Sequence, residues 1–470
     1  LDRNVNAMSK TLQTADLIFS SASTDFSWNK TLGELKLSAL SITNRLRSIE
    51  QDSTFVCAVA DAYNLPLVAN ERCGSWYIPP ERKAGSVYFK STDGHAGEWS
   101  FSMRRLNLQV LDIIGAKEGC IIVDSTRRGK SMPDALSKTV PIWCAVLNML
   151  IFPDIAEAQQ LYTPPSVVSK SEHAQIETRL DTFVRGLTLL GIDITSLRAK
   201  VAKPLRPIWV TQSSHLPLTA PTYEDFHPVV LCTSSRRVHV GEVFEGAYVQ
   251  GAGDDSEGWA HGLTAQTFWS HKDLLMTTPE ESLPQMIGAL ESIDELKRKA
   301  APDNPFKIEA TSSIYIGMDG AAASNCGNFD AIITCGDFAD PALTRYPKVR
   351  YLHLQCASGK LGSRNLRKEL PKLQGFMVTN LAHHCKSLLV CCSNGKDLSV
   401  GVALTILCRY VDQNGEFLTG NALQLGAGKI DKSFIRQRLS WIMTSIPDAK
   451  PSNATLQSVN DFLMTQPSRS

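Results

Sequence analysis

The stretch Ser387 to Val411, SLLVCCSNGKDLSVGVALTILCRYV, decides the fold of the C-terminal part of the chain. Ser387 to Val390 opens an apolar run of strand length. A polar turn containing Gly395 follows, and from Ser399 to Val411 the apolar residues suit a helix. A buried strand that turns through a glycine into a helix is the layout of a phosphate cradle. Backbone N–H groups at the helix N-terminus converge on an anion, and the helix dipole favours it. The plain alternative is that Cys392 is a core residue closing a strand, since free cysteine is among the most buried residue types.

Working outward, the same alternation begins at Lys307. Strands expected at Ser313 to Ile316, Asp330 to Thr334, Arg350 to Leu354 and Ser387 to Val390 alternate with helices such as Arg364 to Leu370 and Ser399 to Val411. This predicts a compact α/β domain on a largely parallel sheet, with the cradle at the carboxyl end of a strand, where such sheets bind ligands. The spacing from Cys392 through Gly395 to Ser399 resembles the Cys-x-x-Gly-x-x-Arg-Ser/Thr loop of dual-specificity phosphatases. Leu398 stands where that family carries arginine. An apolar side chain cannot supply the bidentate grip on a transferring phosphoryl group, so the resemblance implies a phosphate-binding loop without phosphatase chemistry.

A chain of 470 residues exceeds one ordinary core. The expected fold class is α/β throughout, with an N-terminal α/β domain carrying a helical insertion over 1–303 and a phosphatase-like α/β domain over 304–470. Upstream, Leu32 to Glu50 reads as an amphipathic helix, and Phe55 to Asp61, Ser86 to Phe89 and Cys120 to Asp124 as strands. A helical region at Ser169 to Leu190 interrupts them. Strands at Ile208 to Thr211, Val229 to Cys232 and Ala247 to Gln250 then complete the sheet. Glu280 to Pro305 reads as a polar helix with a proline connector, marking the boundary. Gln466 to Ser470 reads as a loose tail.

The 48 Lys and Arg balance 47 Asp and Glu, so contact with nucleic acid must come from a local basic face. The 12 cysteines show no paired zinc-site spacing, which favours reduced thiols and a cytoplasmic address. The first residues, LDRNVNAMSKTLQTADL, lack an initiator Met and the pattern of a signal peptide. The apolar stretch near Ala145 to Phe152 is far shorter than the ~20 residues of a bilayer span, so a soluble protein is expected.

Four further stretches carry chemistry. In GCIIVDSTRRGKS, Gly119 to Ser131, an apolar strand delivers Asp124. Ser125 and Thr126 follow, and then Arg127, Arg128, Gly129, Lys130 and Ser131 stand in succession before a helix expected near Asp134. Three cations beside a glycine and hydroxyls suit a polyanion such as pyrophosphate, although the two-glycine Walker spacing is missing. The alternative is an exposed basic turn. In KSTDGHAGEWSFSMRRLN, Lys90 to Asn107, Asp93 and His95 flank a glycine, with Arg104 and Arg105 downstream. A carboxylate and an imidazole in one turn serve as base and orienter, as metal ligands, or only as a self-capped turn. In YVQGAGDDSEGWAHGLTAQTFW, Tyr248 to Trp269, glycines precede Asp254 and Asp255, an acidic turn suited to Mg²⁺ or simply to solvent. In KIDKSFIRQRLSWI, Lys432 and Arg436 share a helix face, with Lys429 and Arg438 extending a positive surface that either tracks a nucleic-acid backbone or is solvated.

Taken together, DSTRRGKSMPDALSKTVPIWC, STDGHAGEWSFSMRRLN, VQGAGDDSEGWAHGLT and CCSNGKDLSVGVAL are similar to the fungal and plant initiator tRNA phosphoribosyltransferase family over nearly the whole chain. The resemblance implies transfer of a 5-phosphoribosyl group from phosphoribosyl pyrophosphate to the 2′-hydroxyl of a T-stem purine of initiator methionine tRNA, which keeps that tRNA out of elongation. It also implies a characteristic N-terminal domain joined to a dual-specificity-phosphatase-like domain. On this basis Asp124 is the first expectation for general base or ribose contact, with Asp93 or His95 as the alternative. Arg104 and Arg105, the loop from Ser125 through Ser131, and the cradle Cys392, Ser393, Asn394, Gly395, Lys396, Asp397 and Ser399 are expected to hold the substrate's phosphates. Lys429, Lys432, Arg436 and Arg438 are expected on the tRNA, and Asp254 and Asp255 on Mg²⁺. A phosphatase-related enzyme using Cys392 and a non-catalytic tRNA-binding protein remain the other classes.

Overall fold

The computed structural model describes residues 41–92, 97–127, 129–238, 248–300, 304–345, 349–357, 360–382, 385–418, 430–446 and 448–465. Helix α1 (Ile42–Tyr63) starts at Ser41, whose Oγ accepts from the Asn44 amide, and stops at Asn64 in the left-handed region at φ 52°. It contains Phe55 to Asp61, which the sequence reading gave to a strand. Leu46, Ile49, Val56, Val59 and Ala60 are buried at helical spacing along one face, and that period overrides the short β-favouring run. The part of the expected Leu32 to Glu50 helix before residue 41 lies outside the described residues.

The first sheet holds β1 (Leu67–Asn70), β2 (Lys83–Val87), β3 (Cys120–Asp124), β4 (Leu205–Val210) and β5 (His227–Thr233) in the order β2-β1-β3-β5-β4, all parallel. Alternate residues of its strands enter opposite cores. Val68, Ile122 and Leu231 pack with α2 (Val110–Lys117), α3 (Val140–Ile151) and α4 (Lys170–Thr188). Ala69, Ile121 and Val230 pack with α1 and α5 (Leu283–Ala300). Burial on both faces is why these strands read as continuous apolar runs. The chain beyond the helical insertion does complete this sheet, through β4 and β5. The expected strand near Tyr248 to Gln250 is a loop and turn, and Ala247 lies outside the described residues.

The second sheet holds β6 (Phe306–Lys307), β7 (Ile314–Met318), β8 (Ala331–Gly336), β9 (Arg350–Gln355) and β10 (Leu388–Cys392) in the order β6-β7-β10-β8-β9, parallel apart from β6. Helices α6 (Lys360–Glu369), α7 (Leu398–Tyr410), α8 (Lys432–Ser445) and α9 (Asn453–Thr465) pack against it or against one another. Among the described residues no helix is long and apolar enough to cross a membrane. All 12 cysteines are free thiols.

One buried acid carries a pH signature. Asp52 on α1 accepts from Gln212 Nε2 at 2.8 Å and from the Tyr248 hydroxyl at 2.8 Å. Burial pushes its carboxyl up to about 8, against the pull of those hydrogen bonds. A folded value above the unfolded one means that this group's stabilisation is full below pH ~4 and is lost as pH rises through about 8. Asp52→Asn is therefore expected to flatten the fall in urea-unfolding stability between acid and mildly alkaline pH. A decline of unchanged slope in the variant shows that other groups set it.

Candidate functional site

The chain leaves β1 to pair β2 on one side and later returns to pair β3 on the other. The carboxyl ends of β1 and β3 therefore form a topological switch point, the crevice where open α/β sheets bind ligands. Asn70 ends β1 and Arg72 follows it, while Asp124 ends β3. The fully buried Asp124 carboxylate accepts from Asn70 Nδ2 (2.9 Å), Arg72 Nε (3.3 Å) and Nη2 (3.0 Å), Cys73 Sγ (3.0 Å) and the Ser125 amide (2.8 Å). Arg72 reaches on to Asp254 Oδ2 at 3.2 Å and to the Ser125 carbonyl. Burial opposes the Arg72 charge, but Cys73, Asp124 and Asp254 together outweigh it and raise its pKa. Burial likewise pushes the Asp124 carboxyl up, against the pull of Arg72.

Asp124 has no exposed surface, and both its oxygens already accept hydrogen bonds, so the carboxylate is engaged in holding Arg72. Asp93 and His95, the alternative, lie outside the described residues.

The structure does bring together the basic loop and the acidic turn. Arg127 pairs with Asp255, the Gly129 amide donates to Gln250 Oε1 at 3.0 Å, and Gln250 Nε2 donates to the Lys130 carbonyl at 2.8 Å. Ser235 Oγ donates to the Thr126 carbonyl at 2.8 Å. Gly251, at φ 67°, permits the approach, since a Cβ there would stand 2.7 Å from the Thr126 carbonyl oxygen. Lys130 is exposed and Ser131 half-buried beside it, and Arg128 lies outside the described residues. The expected convergence of Asp254 and Asp255 on one cation is not seen, because buried Asp254 faces Arg72 and exposed Asp255 faces Arg127. Among the described residues no group of three or more His, Cys, Asp and Glu side chains is arranged for a metal. Asn70, Arg72 and Gln250 were not singled out from the sequence. The signal for the first two was the apolar run LPLVA ending in NERCG at Leu65 to Gly74.

The C-terminal cradle has the expected strand, turn and helix, and the exposed Asn394 side chain folds back onto its own loop amides. Asn394 Oδ1 accepts from the amides of Lys396 (2.9 Å) and Asp397 (3.2 Å) and from Cys392 Sγ (3.3 Å). Asparagine satisfies backbone groups two and three residues on in this way, taking donors an anion would use. Lys396 Nζ is held by Asp448 at 3.2 Å, and the Asp397 carboxylate accepts from the Ser452 amide (2.8 Å) and Thr455 Oγ1 (2.6 Å) at the start of α9. The buried Cys392 thiol meets Ser399 Oγ at 3.0 Å, Gly395 supplies the turn at φ 62°, and Ser393 is exposed. These groups fasten the Cys392 to Ser399 loop to the neighbouring segment.

Arg104 and Arg105 face neither loop. They line a cavity of about 710 Å³ together with Tyr88, Phe89, Lys90 and Trp143 of the N-terminal domain and Lys432, Arg436 and Asn453 of the C-terminal one. Arg104 Nη1 donates to Asn453 Oδ1 at 2.8 Å, and the Arg105 guanidinium lies 3.8 Å from the Tyr88 ring centroid. Asn70 joins this cavity to the switch point: it accepts from the Phe89 amide (2.8 Å), donates to the Phe89 carbonyl (3.1 Å) and donates to Asp124. Lys429 lies outside the described residues. Arg438 is not on the expected positive surface; it is buried, donates to the Val411 (3.2 Å) and Asp412 (2.8 Å) carbonyls and stacks 3.9 Å from Trp441. Burial lowers its pKa.

Family models agree with this two-part architecture. Residues 35–292 match the model described as the Rit1 N-terminal domain, and residues 350–463 the Rit1 DUSP-like domain. The tRNA A64-2′-O-ribosylphosphate transferase of Saccharomyces cerevisiae is 35% identical over 90% of this chain and 92% of its own. An uncharacterized Schizosaccharomyces pombe protein is 38% identical over 90% of this chain and 94% of its own. Among solved structures, human DUSP28 (14% identity, 35% of this chain and 96% of that one, TM-score 0.27) and the Yvh1 phosphatase domain from Chaetomium thermophilum (18%, 36% and 100%, TM-score 0.27) are similar to part of it. With both family models matched in order and relatives aligned over nearly their whole length, the chain belongs to the Rit1 family.

Proposed function

We propose that this protein is a pentosyltransferase that moves a 5-phosphoribosyl group from phosphoribosyl pyrophosphate to the 2′-hydroxyl of a T-stem purine of initiator methionine tRNA, excluding it from elongation. The observation that carries this reading is the alignment across both domains, over 92% of its length, with an enzyme named for ribosylphosphate transfer to a tRNA adenosine. The switch point supports it with a glycine-containing basic loop at the carboxyl edge of a parallel sheet.

Displacing pyrophosphate from the anomeric carbon passes through an oxocarbenium-like state while negative charge grows on the departing group. In this reading Arg127, Lys130 and the Gly129 region meet that charge, supported by an Arg72 held by two carboxylates. Mg²⁺ fits one atom of this site: Asp254 Oδ1 is a buried carboxylate oxygen with no hydrogen-bond partner. Mg²⁺ takes one or two carboxylates together with substrate phosphates, and bound there it would neutralise the leaving pyrophosphate. With Asp124 committed to Arg72, the proton of the acceptor hydroxyl falls to Asp93 or His95.

Incubation with radiolabelled phosphoribosyl pyrophosphate and initiator tRNA is expected to label the tRNA. Binding of the tRNA without transfer would overturn the enzymatic reading. The phosphatase alternative is disfavoured by Leu398 and by Asn394 Oδ1 occupying the Lys396 and Asp397 amides. Cys392→Ser is expected to leave transfer within about tenfold, or ~1.4 kcal/mol in the barrier. Generic phosphoesters should not be hydrolysed, and turnover that vanishes in Cys392→Ser would reinstate the thiol as a nucleophile.

A further inference from the structure

We propose that the cavity between the two domains seats the phosphodiester backbone of the tRNA, gripped by one bank of cations from each domain. The proposal rests on tRNA being the partner and extends that reading to a defined surface. Lys90, Arg104 and Arg105 form the N-terminal bank, and Lys432 and Arg436 the C-terminal one. Among the described residues no aspartate or glutamate lines the cavity, and none of these five cations is ion-paired. Elsewhere the chain neutralises cations readily, as with Arg72, Arg127, Lys138 and Lys396. Five cations facing one cavity, in a protein of net charge +1, make a local basic surface complementary to a polyanion.

The grip is preorganised on the N-terminal side. Arg104 is braced across the domain seam by Asn453, and Arg105 is stacked on Tyr88, whose other neighbour is Lys450 with Nζ 5.7 Å from the ring centroid. On the opposite side Lys432 and Arg436 stand one turn apart on α8. Cations in two separated banks suit a chain of spaced phosphates better than the compact pyrophosphate of the donor, for which the Arg127 to Lys130 loop is the denser match. The location is also right for an acceptor, since Phe89 in the cavity wall is tied through Asn70 to Asp124 at the switch point.

The test uses the full chain, with initiator tRNA and phosphoribosyl pyrophosphate as separate probes. Lys90→Ala with Arg104→Ala, and Lys432→Ala with Arg436→Ala, are each expected to weaken tRNA binding at least tenfold. Each pair should also reduce the slope of log K against log salt by roughly 1.5–2. Donor binding by calorimetry should stay within about twofold, and thermal unfolding should report intact folding. Paired lysine replacements at Arg104 and Arg436 should keep the salt slope. Unchanged tRNA affinity and slope in either pair overturns the two-sided grip, and a loss of donor affinity with tRNA binding intact makes the cavity a donor pocket. If tRNA binds with this salt dependence but receives no label, the transferase reading falls while the cavity assignment stands.

Discussion

Arg72→Met is expected to destabilise the protein by about 3–5 kcal/mol and to abolish measurable transfer. The guanidinium is the shared partner of two acids, the fully buried Asp124 and Asp254 at 4% exposure, and it also donates to the Ser125 carbonyl. Removing it strands two carboxylates in low dielectric, a penalty that exceeds anything expected from losing one contact. Arg72→Lys should recover only part of the loss, because one ammonium cannot reproduce a planar fork spanning three acceptors. Asp254→Asn placed in the Arg72→Met background should then restore stability, giving a clear coupling energy in a double-mutant cycle. Urea unfolding of the four proteins measures this. A loss under about 1 kcal/mol, or strictly additive changes, would show that the two acids are not energetically coupled to Arg72.

The legible and illegible parts of this chain separate by distance in sequence. Strands such as Cys120–Asp124 and Leu388–Cys392 were readable because burial on both faces demands unbroken apolar runs. The four residues of Leu67–Asn70 were too short to stand out, although they carry Asn70 at the centre of the site. Arg72 had no local motif; its partners Asp124 and Asp254 lie 52 and 182 positions away, so only the fold reveals the network. The cradle shows the opposite case. Its backbone plan was readable, but the pattern of glycine and hydroxyls does not tell whether Asn394 folds back over the loop amides. Arg438 reads as a surface residue from sequence because helical periodicity marks faces without saying that one face meets Trp441 and the carbonyls of another segment.

The cradle loop is fastened to the segment beside it. Asp397 holds the Ser452 amide and Thr455 hydroxyl, the Lys396 carbonyl accepts from the Lys450 amide at 2.7 Å, and Lys396 Nζ holds Asp448. The segment fixed in this way carries Lys450 to Tyr88 and Asn453 to Arg104, so the loop sets the wall of the inter-domain cavity. A phosphatase-like domain without the phosphatase arginine thus has a physical use in this chain, since it anchors one half of a basic cleft whose other half follows β2.

Asn70→Leu is expected to lower transfer by more than a hundredfold and to cost several kcal/mol of stability. The side chain is fully buried and makes three hydrogen bonds, to both backbone groups of Phe89 and to Asp124 Oδ2. Leucine fits the volume but leaves the Phe89 amide and carbonyl unsatisfied in the core, at about 1–3 kcal/mol each. It also disconnects the cavity wall from the Arg72 network, so that acceptor and donor sites lose their common anchor. Asn70→Asp makes the argument sharper. As a carboxylate it would still accept from the Phe89 amide but would repel Asp124 and lose both donated bonds; protonated, it regains a donor. Its folded pKa should therefore be raised, with stability present at acid pH and lost as pH rises through the folded value. Single-turnover transfer and urea unfolding across pH check both variants. Transfer within tenfold of the unmutated protein in Asn70→Leu would show that the two regions work without a shared anchor, and a pH-independent defect in Asn70→Asp would remove Asp124 from its surroundings as the source of the effect.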